Sequence, residues 1–184
     1  NEPYAELNNT YGSFNTWKNT VKVGTGLIAD KFTFDARLSR IKSDGFIDRA
    51  ASNLKSYFLS GAHHGKTDLI KVNVCSGSEK TYQARNGIPE SRLNGDIGGM
   101  NAYIDRNGLN SADASNLLNS GSRTYNSFTY NEQTDNYWQD HYQFLYAKQC
   151  SDKFSFNGAL HYTAGKGYYE EAKEAQKLSK YGLQ

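Results

Sequence analysis

The chain of 184 residues has little of what would interrupt, staple or span. Two prolines in the whole length leave its extended stretches free to pair, because a proline withdraws a donor from a strand ladder. The two cysteines, Cys75 and Cys150, invite a disulfide, which an oxidising compartment would permit. The strand map given below puts Cys75 high on an ascending strand and Cys150 at the foot of a descending one. Strands rise ~3.3 Å per residue, so the separation is tens of Å, whereas a bridge needs Cα atoms within about 7 Å. Two unpaired thiols are expected. A run of ~18 apolar residues is missing, which excludes a membrane-crossing helix. Basic and acidic residues number 21 and 19, are well mixed and leave a net charge of +2, with no basic run, so nucleic acid is excluded as a partner. There is no Ser/His/Asp arrangement at an elbow, no Cys/His zinc spacing and no phosphate loop. Glu170 and Glu171 are a solvated pair. No enzyme, catalytic residue, metal ligand or cofactor is expected. No secretory leader is recognised at the start. The chain opens at Asn1-Glu2-Pro3 into a strand-like stretch and closes at Tyr181 to Gln184 without an obvious ending, so both ends are expected to be cut from a longer protein.

Aromatic residues are plentiful: they make up 14% of the chain, with 14 tyrosines against one methionine. Apolar content is 37%, below the usual ~45–50%. Disordered chains are poor in aromatics, so this composition points instead to a sheet with a polar second face and aromatic girdles at its ends.

The organising stretch is a hairpin, Thr16 to Ile41, turning at Ala29-Asp30-Lys31. Trp17, Val21, Val23 and Leu27 share one parity, and Lys18, Thr20 and Lys22 the other. After the turn, Phe32, Phe34, Ala36 and Leu38 alternate with Thr33, Asp35, Arg37 and Ser39. A period of two means strand, with one apolar face and one charged face. A soluble sheet lays such a face on a core, whereas an outer-membrane barrel lays it against lipid and turns the other to a wet lumen. Both arms reach the roughly 9–11 residues of a membrane-crossing strand, above the ordinary mode of about 5–6, which favours the barrel.

Further strands are expected at Tyr4–Tyr11, Asn53–His63, Thr67–Gly77, Asn136–Cys150 and Phe154–Thr163. Between the third and fourth of these lie residues 78–135, rich in Gly, Asn, Ser, Arg and Tyr. One helix is expected in that stretch, with Ser111 as cap, Ala112–Asn119 as body and Gly121 as stop. A second, solvated helix is expected over Glu170–Lys180, where Glu170/Lys173 and Glu174/Lys177 are spaced i, i+3. Connections at 29–31, 64–66 and 151–153 are tight, and those at 42–52, 78–135 and beyond 165 are long. Outer-membrane barrels sort their loops in this way, short at one rim and long at the other. The expected fold is all-β: an antiparallel meander of about seven long strands forming part of a transmembrane β-barrel, with long extracellular loops containing short helices.

Several stretches resemble TonB-dependent outer-membrane receptors, in particular Bacteroides-type ones of the iron-complex group. They are YGSFNTWKNTVKVGTGL (11–27), KSDGFIDRAASNLKSYFLSG (42–61), TYQARNGIPESRL (81–93), LLNSGSRTYN (117–126), DNYWQDHYQFLY (135–146) and ALHYTAGKGYYEE (159–171). The resemblance implies a 22-stranded barrel closed by an N-terminal plug and driven by TonB, of which residues 1–184 would be one partial barrel domain, the first third of the strands. Plug, TonB box and remaining strands have no counterpart here, so the chain would not transport by itself. The implied location is the outer membrane of a Gram-negative bacterium. The implied partners are outer-membrane lipid, the receptor's own plug and TonB, and a transported metal chelate such as a siderophore or haem. Two alternatives stay open: an oligosaccharide or peptide importer of the same superfamily, and a soluble β-rich binding or adhesion domain with Tyr-rich loops.

The lumen-facing set is Lys18, Lys22, Asp35, Arg37, Gln139, Gln143 and His161, which would meet water or plug. The long connection supplies the ligand candidates Tyr82, Arg85, Arg92, Tyr103, Arg106, Tyr125 and Tyr130. Arg presents a planar fork to carboxylate-rich chelates and Tyr adds amphipathic contact area; the plainer reading is a loop that covers the barrel mouth. His63 and His64 are adjacent strand residues pointing to opposite faces, so they do not read as a joint metal site. Asp105-Arg106-Asn107-Gly108 has its Gly too early for a calcium loop and reads as a turn. Trp17, Trp138 and Tyr142 read as an interfacial girdle.

Overall fold

The structure, a computed structural model, describes residues 2–173 and 176–183. Seven strands form one antiparallel meander in chain order: β1 (Tyr4–Gly12), β2 (Thr16–Gly24), β3 (Phe32–Ser43), β4 (Ser52–His64), β5 (Asp68–Tyr82), β6 (Thr134–Ser151) and β7 (Phe154–Tyr169). Three helices, α1 (Glu90–Leu93), α2 (Ile97–Asn107) and α3 (Ser111–Asn119), fall between β5 and β6. Two compact units result: a strand unit of residues 1–45, 51–80 and 136–168, and a loop unit of residues 46–50, 81–135 and 169–184.

Cross-strand register sorts the side chains as the alternation requires. Leu7 pairs with Val21, Val21 with Leu38 and Leu38 with Tyr57; Ala5, Val23, Ala36 and Leu59 form the next apolar row. On the other face Glu6 pairs with Lys22, Lys22 with Arg37, and Thr20 with Ser39. The same register settles β4, whose sequence is apolar on both parities. Tyr57 and Leu59 join the apolar face, while Phe58 pairs with Arg37 and Leu54 with Ile41 on the polar face.

The apolar face has no second layer among the described residues. Phe34 is 53% exposed, Val72 45%, Phe156 52% and Leu160 72%. Ala62 is the one buried hydrophobic residue among the described residues of the sheet. A soluble sandwich would have placed those aromatic and aliphatic side chains in an interior, because burial of such surface is what drives a water-soluble sheet to fold. Cys75 and Cys150 are free thiols, half-buried and exposed.

At the Ala29-Asp30 turn both central residues have positive φ, 49° and 57°, as a primed hairpin turn demands. Asp tolerates that conformation through its short polar side chain; Ala does so only against its Cβ.

Several boundaries differ from expectation. The apolar run before the first hairpin turn leaves the ladder early: β2 stops at Gly24, and Ile28 makes a single bridge to Phe32. Three other strands are longer than the alternation suggested. β5 continues through Ser78 to Tyr82, and β6 starts at Thr134. β7 runs past Gly165 to Tyr169. Backbone pairing, not side-chain pattern, carries these extensions. Gly165 and Gly167 of β7 mark a close approach, since the Tyr137 ring lies across the strand. A Cβ on Gly167 would stand 2.7 Å from Cδ2 of Tyr137 and 2.8 Å from the carbonyl oxygen of Asn136. Gly167→Ala is therefore expected to cost about 1–3 kcal/mol through overpacking, measured as a lowered urea midpoint.

The helix expected over Glu170–Lys180 does not form as such. The backbone N–H of Glu170 instead donates to the Thr134 carbonyl at 2.8 Å, prolonging the partnership with the β6 segment, and Lys173 pairs with Glu171 at 2.6 Å. Glu174, half of one expected ion pair, lies outside the described residues, and a 3₁₀ turn covers Leu178–Tyr181.

Candidate ligand-binding loop unit and the polar face of the sheet

The long connection is a small helical body, not a bare loop. α2 starts at Asp96, whose carboxylate accepts from Gly99 N at 3.0 Å, and ends at Gly108, left-handed at φ 58°. The Asp105–Gly108 stretch is thus the last helical turn and its glycine cap. α3 is capped by Asn110, whose side chain accepts from Asp113 N at 2.9 Å; Ser111 is the first helical residue and not the cap. Met100 and Leu117 are fully buried and Tyr125 is 4% exposed, with Ile88, Tyr103, Ile104, Leu109 and Leu118 packed round them.

A polar knot holds this body together. Arg49, at φ 66°, donates from Nε to the Phe128 carbonyl at 2.8 Å and from Nη2 to the Asn126 carbonyl at 2.9 Å. The buried Asn126 amide donates to the carbonyls of Asp48 and Gln83, both at 2.9 Å. The charge-assisted bonds from Arg49 are the stronger class, and every bond of the knot satisfies a carbonyl that irregular backbone would otherwise leave without a donor. The amide of Ala172 donates to Gln133 Oε1 at 3.1 Å, tying in the segment after β7. Neither Arg49 nor Asn126 was marked by the sequence, because their partners are backbone carbonyls far along the chain.

The ligand candidates divide by surroundings. Arg85 and Arg106 are exposed, each guanidinium 5.7 Å from the centroid of an aromatic ring, Phe128 and Tyr103 respectively. Tyr130 is 50% exposed, and its carbonyl accepts from the Tyr82 hydroxyl at 2.6 Å. Arg92 is half-buried and donates to the Leu118 carbonyl at 3.2 Å, so it braces α1 against α3. Tyr125 belongs to the core, and Tyr103 packs on it.

Burial pushes the Tyr125 phenol above its ordinary pKa, with Tyr103 and Asp113 adding to the rise. A raised folded-state pKa means that the phenol's contribution to stability is complete below the unfolded value, about 10, and is lost as pH climbs through the folded one. The loop unit is expected to loosen in alkali in a step that Tyr125→Phe diminishes, followed by circular dichroism against pH. At the surface, the Lys173 ammonium holds the Glu171 carboxyl below the usual carboxylate range.

On the polar face, Lys18, Lys22 and Arg37 line a shallow hollow with Thr20 and Ser39. Lys22 is ion-paired to Glu6 at 3.1 Å, and Asp35 accepts from the Tyr4 hydroxyl at 3.0 Å. Gln143 accepts from Asn73 at 3.0 Å, Gln139 is half-exposed, and His161 lies 3.2 Å from His141. On the apolar face, Trp17 packs 4.7 Å from Tyr11, Trp138 6.0 Å from Tyr168 and Tyr142 6.2 Å from Tyr162. His63 lies tilted against Phe32, ring centroids 5.1 Å apart, whereas His64 bonds Thr33 at 3.1 Å, so the two imidazoles diverge. No cluster of three or more metal-ligating side chains occurs among the described residues.

No family model matches the chain, and no curated protein matches it in sequence. Two solved structures do match its fold, the closed and open forms of the ferric-catecholate import receptor Fiu from Escherichia coli K12. Each superimposes with a TM-score of 0.69 over 92% of this chain at 17% identity. The chain spans 22% and 24% of the length of those two receptor chains. The seven-strand antiparallel meander with short helices in its long connection is thus the fold of a segment of a receptor barrel.

Proposed function

We propose that the chain forms the early barrel strands of a TonB-dependent receptor in the outer membrane of a Gram-negative bacterium, and that the receptor imports an iron complex. The observation that carries this reading is the bare apolar face. A single layer with Phe34, Val72, Phe156 and Leu160 exposed suits contact with acyl chains, and suits no water-soluble sheet. Fold similarity to a ferric-catecholate import receptor supports the ligand class. The family resemblance of the sequence supports the TonB-dependent kind and, more finely, the Bacteroides-type group.

In this reading residues 1–184 are a partial barrel domain, completed in the full-length protein by a plug and further strands. Extracellular loops capture the chelate, and TonB acts on the plug to let it pass. Arg85, Arg106 and Tyr130 are the exposed groups of the loop unit suited to an anionic chelate. Lys18, Lys22 and Arg37 give the lumen wall a cationic patch that the plug or its water would meet.

The test has two parts. The full-length protein, expressed in a Gram-negative host lacking its own ferric-chelate receptors, is expected to fractionate with the outer membrane and restore uptake of radiolabelled ferric catecholate. Uptake of an oligosaccharide or peptide in its place would move the receptor to that branch of the superfamily. If the 184 residues alone stay soluble, monomeric and cooperatively folded without detergent, the barrel reading fails.

A further inference from the structure

The apolar face of the strand unit ends sharply on the side where the long connections leave. Along β7 every second residue from Phe154 is uncharged, through Phe156, Gly158, Leu160, Tyr162 and Ala164, and the next is Lys166. Strand rise makes that run about 33 Å long, or about 25 Å high at the 35–45° tilt of barrel strands, which is the height of a lipid-facing band. The same change occurs on the neighbouring strands. The row Val21, Leu38, Tyr57 is followed two residues on by the row Asn19, Arg40, Lys55.

Arg40 and Lys55 are cross-strand neighbours. Arg40 and Lys55 line one open hollow together with Val21, Leu38, Tyr57 and Trp138. The Lys166 ammonium stands 5.9 Å from the centroid of the Trp138 ring. Arg40, Lys55 and Lys166 are exposed, and none is ion-paired among the described residues. Asp140, of the same parity as Trp138 on β6, is not paired with any of them.

We propose that this hollow binds an anionic, phosphate-bearing lipid of the leaflet on the long-loop side, with the headgroup between Arg40 and Lys55 and an acyl chain along Val21 and Leu38. The inference rests on the barrel reading above. Its chemistry is direct. Long cationic side chains at the end of an apolar band reach toward the headgroup layer, and clustered Lys/Arg there attract anionic lipid. Arg adds a fork that fits phosphate oxygens two at a time. Trp138 and Tyr57 supply the amphipathic rings that sit at headgroup level.

Native mass spectrometry of the full-length protein in neutral maltoside micelles, with equal phosphatidic acid and phosphatidylcholine, tests this. Phosphatidic acid adducts are expected to dominate, and Arg40→Gln and Lys55→Gln to weaken them about fivefold for each charge removed. The double variant Lys31→Gln/Lys66→Gln, which removes equal charge at the short turns, is expected to retain them. Unchanged enrichment in the hollow variants overturns the proposal. So does equal loss in the short-turn variant, which would show attraction to net charge only. Displacement of the lipid by equimolar inorganic phosphate overturns it too, since the site would then be one for a free anion. Heat-modifiable gel migration, read in parallel, keeps the two claims apart. Lost enrichment in a heat-modifiable wild-type protein sinks the lipid site alone, and a protein that never becomes heat-modifiable sinks the barrel reading as well.

Discussion

Leu160→Arg in the full-length protein is expected to destabilise the bilayer-inserted form by about 2–4 kcal/mol, the cost of an arginine deep on a lipid-facing strand. The measurement is urea-dependent refolding into phosphatidylcholine vesicles. Leu160 is 72% exposed. In water, a leucine so exposed would accept arginine at a change within about 0.5 kcal/mol, because surface substitutions away from special features are nearly neutral. The two environments therefore predict results several-fold apart for one substitution. Asn157→Arg, of the opposite parity on the same strand, is expected to be nearly neutral, since the polar face does not meet hydrocarbon. Equal small effects at both positions would refute a lipid-facing role for this side of the sheet.

The second large effect lies in the loop unit. Leu117→Ala removes a fully buried side chain from the small core it shares with Met100 and Tyr125. Large-to-small changes at such sites typically cost 2–5 kcal/mol, about 2 for a site that collapses and about 5 for one that cannot. With few buried apolar neighbours to take up the loss, the loop unit is expected to open locally while the sheet keeps its ladders. Hydrogen exchange resolves this. The amides of α2 and α3 are expected to lose protection and those of β2 and β3 to retain it. A uniform loss across both units would mean that the loop body is not an independent cooperative element.

How far the sequence could be read follows from which interactions are local. The hairpin Thr16–Ile41 was legible because its alternation is strict, and the observed pairing of Val21 with Leu38 and Lys22 with Arg37 is what that alternation demands. The end of β5 was not, since Ser76, Gly77 and Ser78 carry turn residues' chemistry while the strands on either side hold them extended. β7 hid its last turns for a related reason: its glycines signal a crossing tyrosine ring, which no neighbour in sequence reveals. α2 escaped notice because Gly98 and Gly99 occupy its first turn, although Ile97, Met100 and Ile104 keep helical spacing and Gly108 supplies the stop. Among the ligand candidates, residue type identified groups able to hold an anion. It could not separate Arg85 and Arg106, which face water, from Arg92 and Tyr125, which hold the helices together.

The knot at Arg49 and Asn126 means that the connections at 46–50 and 81–135 do not vary independently. Transplanting either one onto another scaffold would leave stranded carbonyls behind, so a chimera must move both, together with the stretch that Gln133 holds. Drift at position 49 should accordingly follow the backbone course of 126–128 and not the side chain at 126, because its acceptors there are main-chain carbonyls.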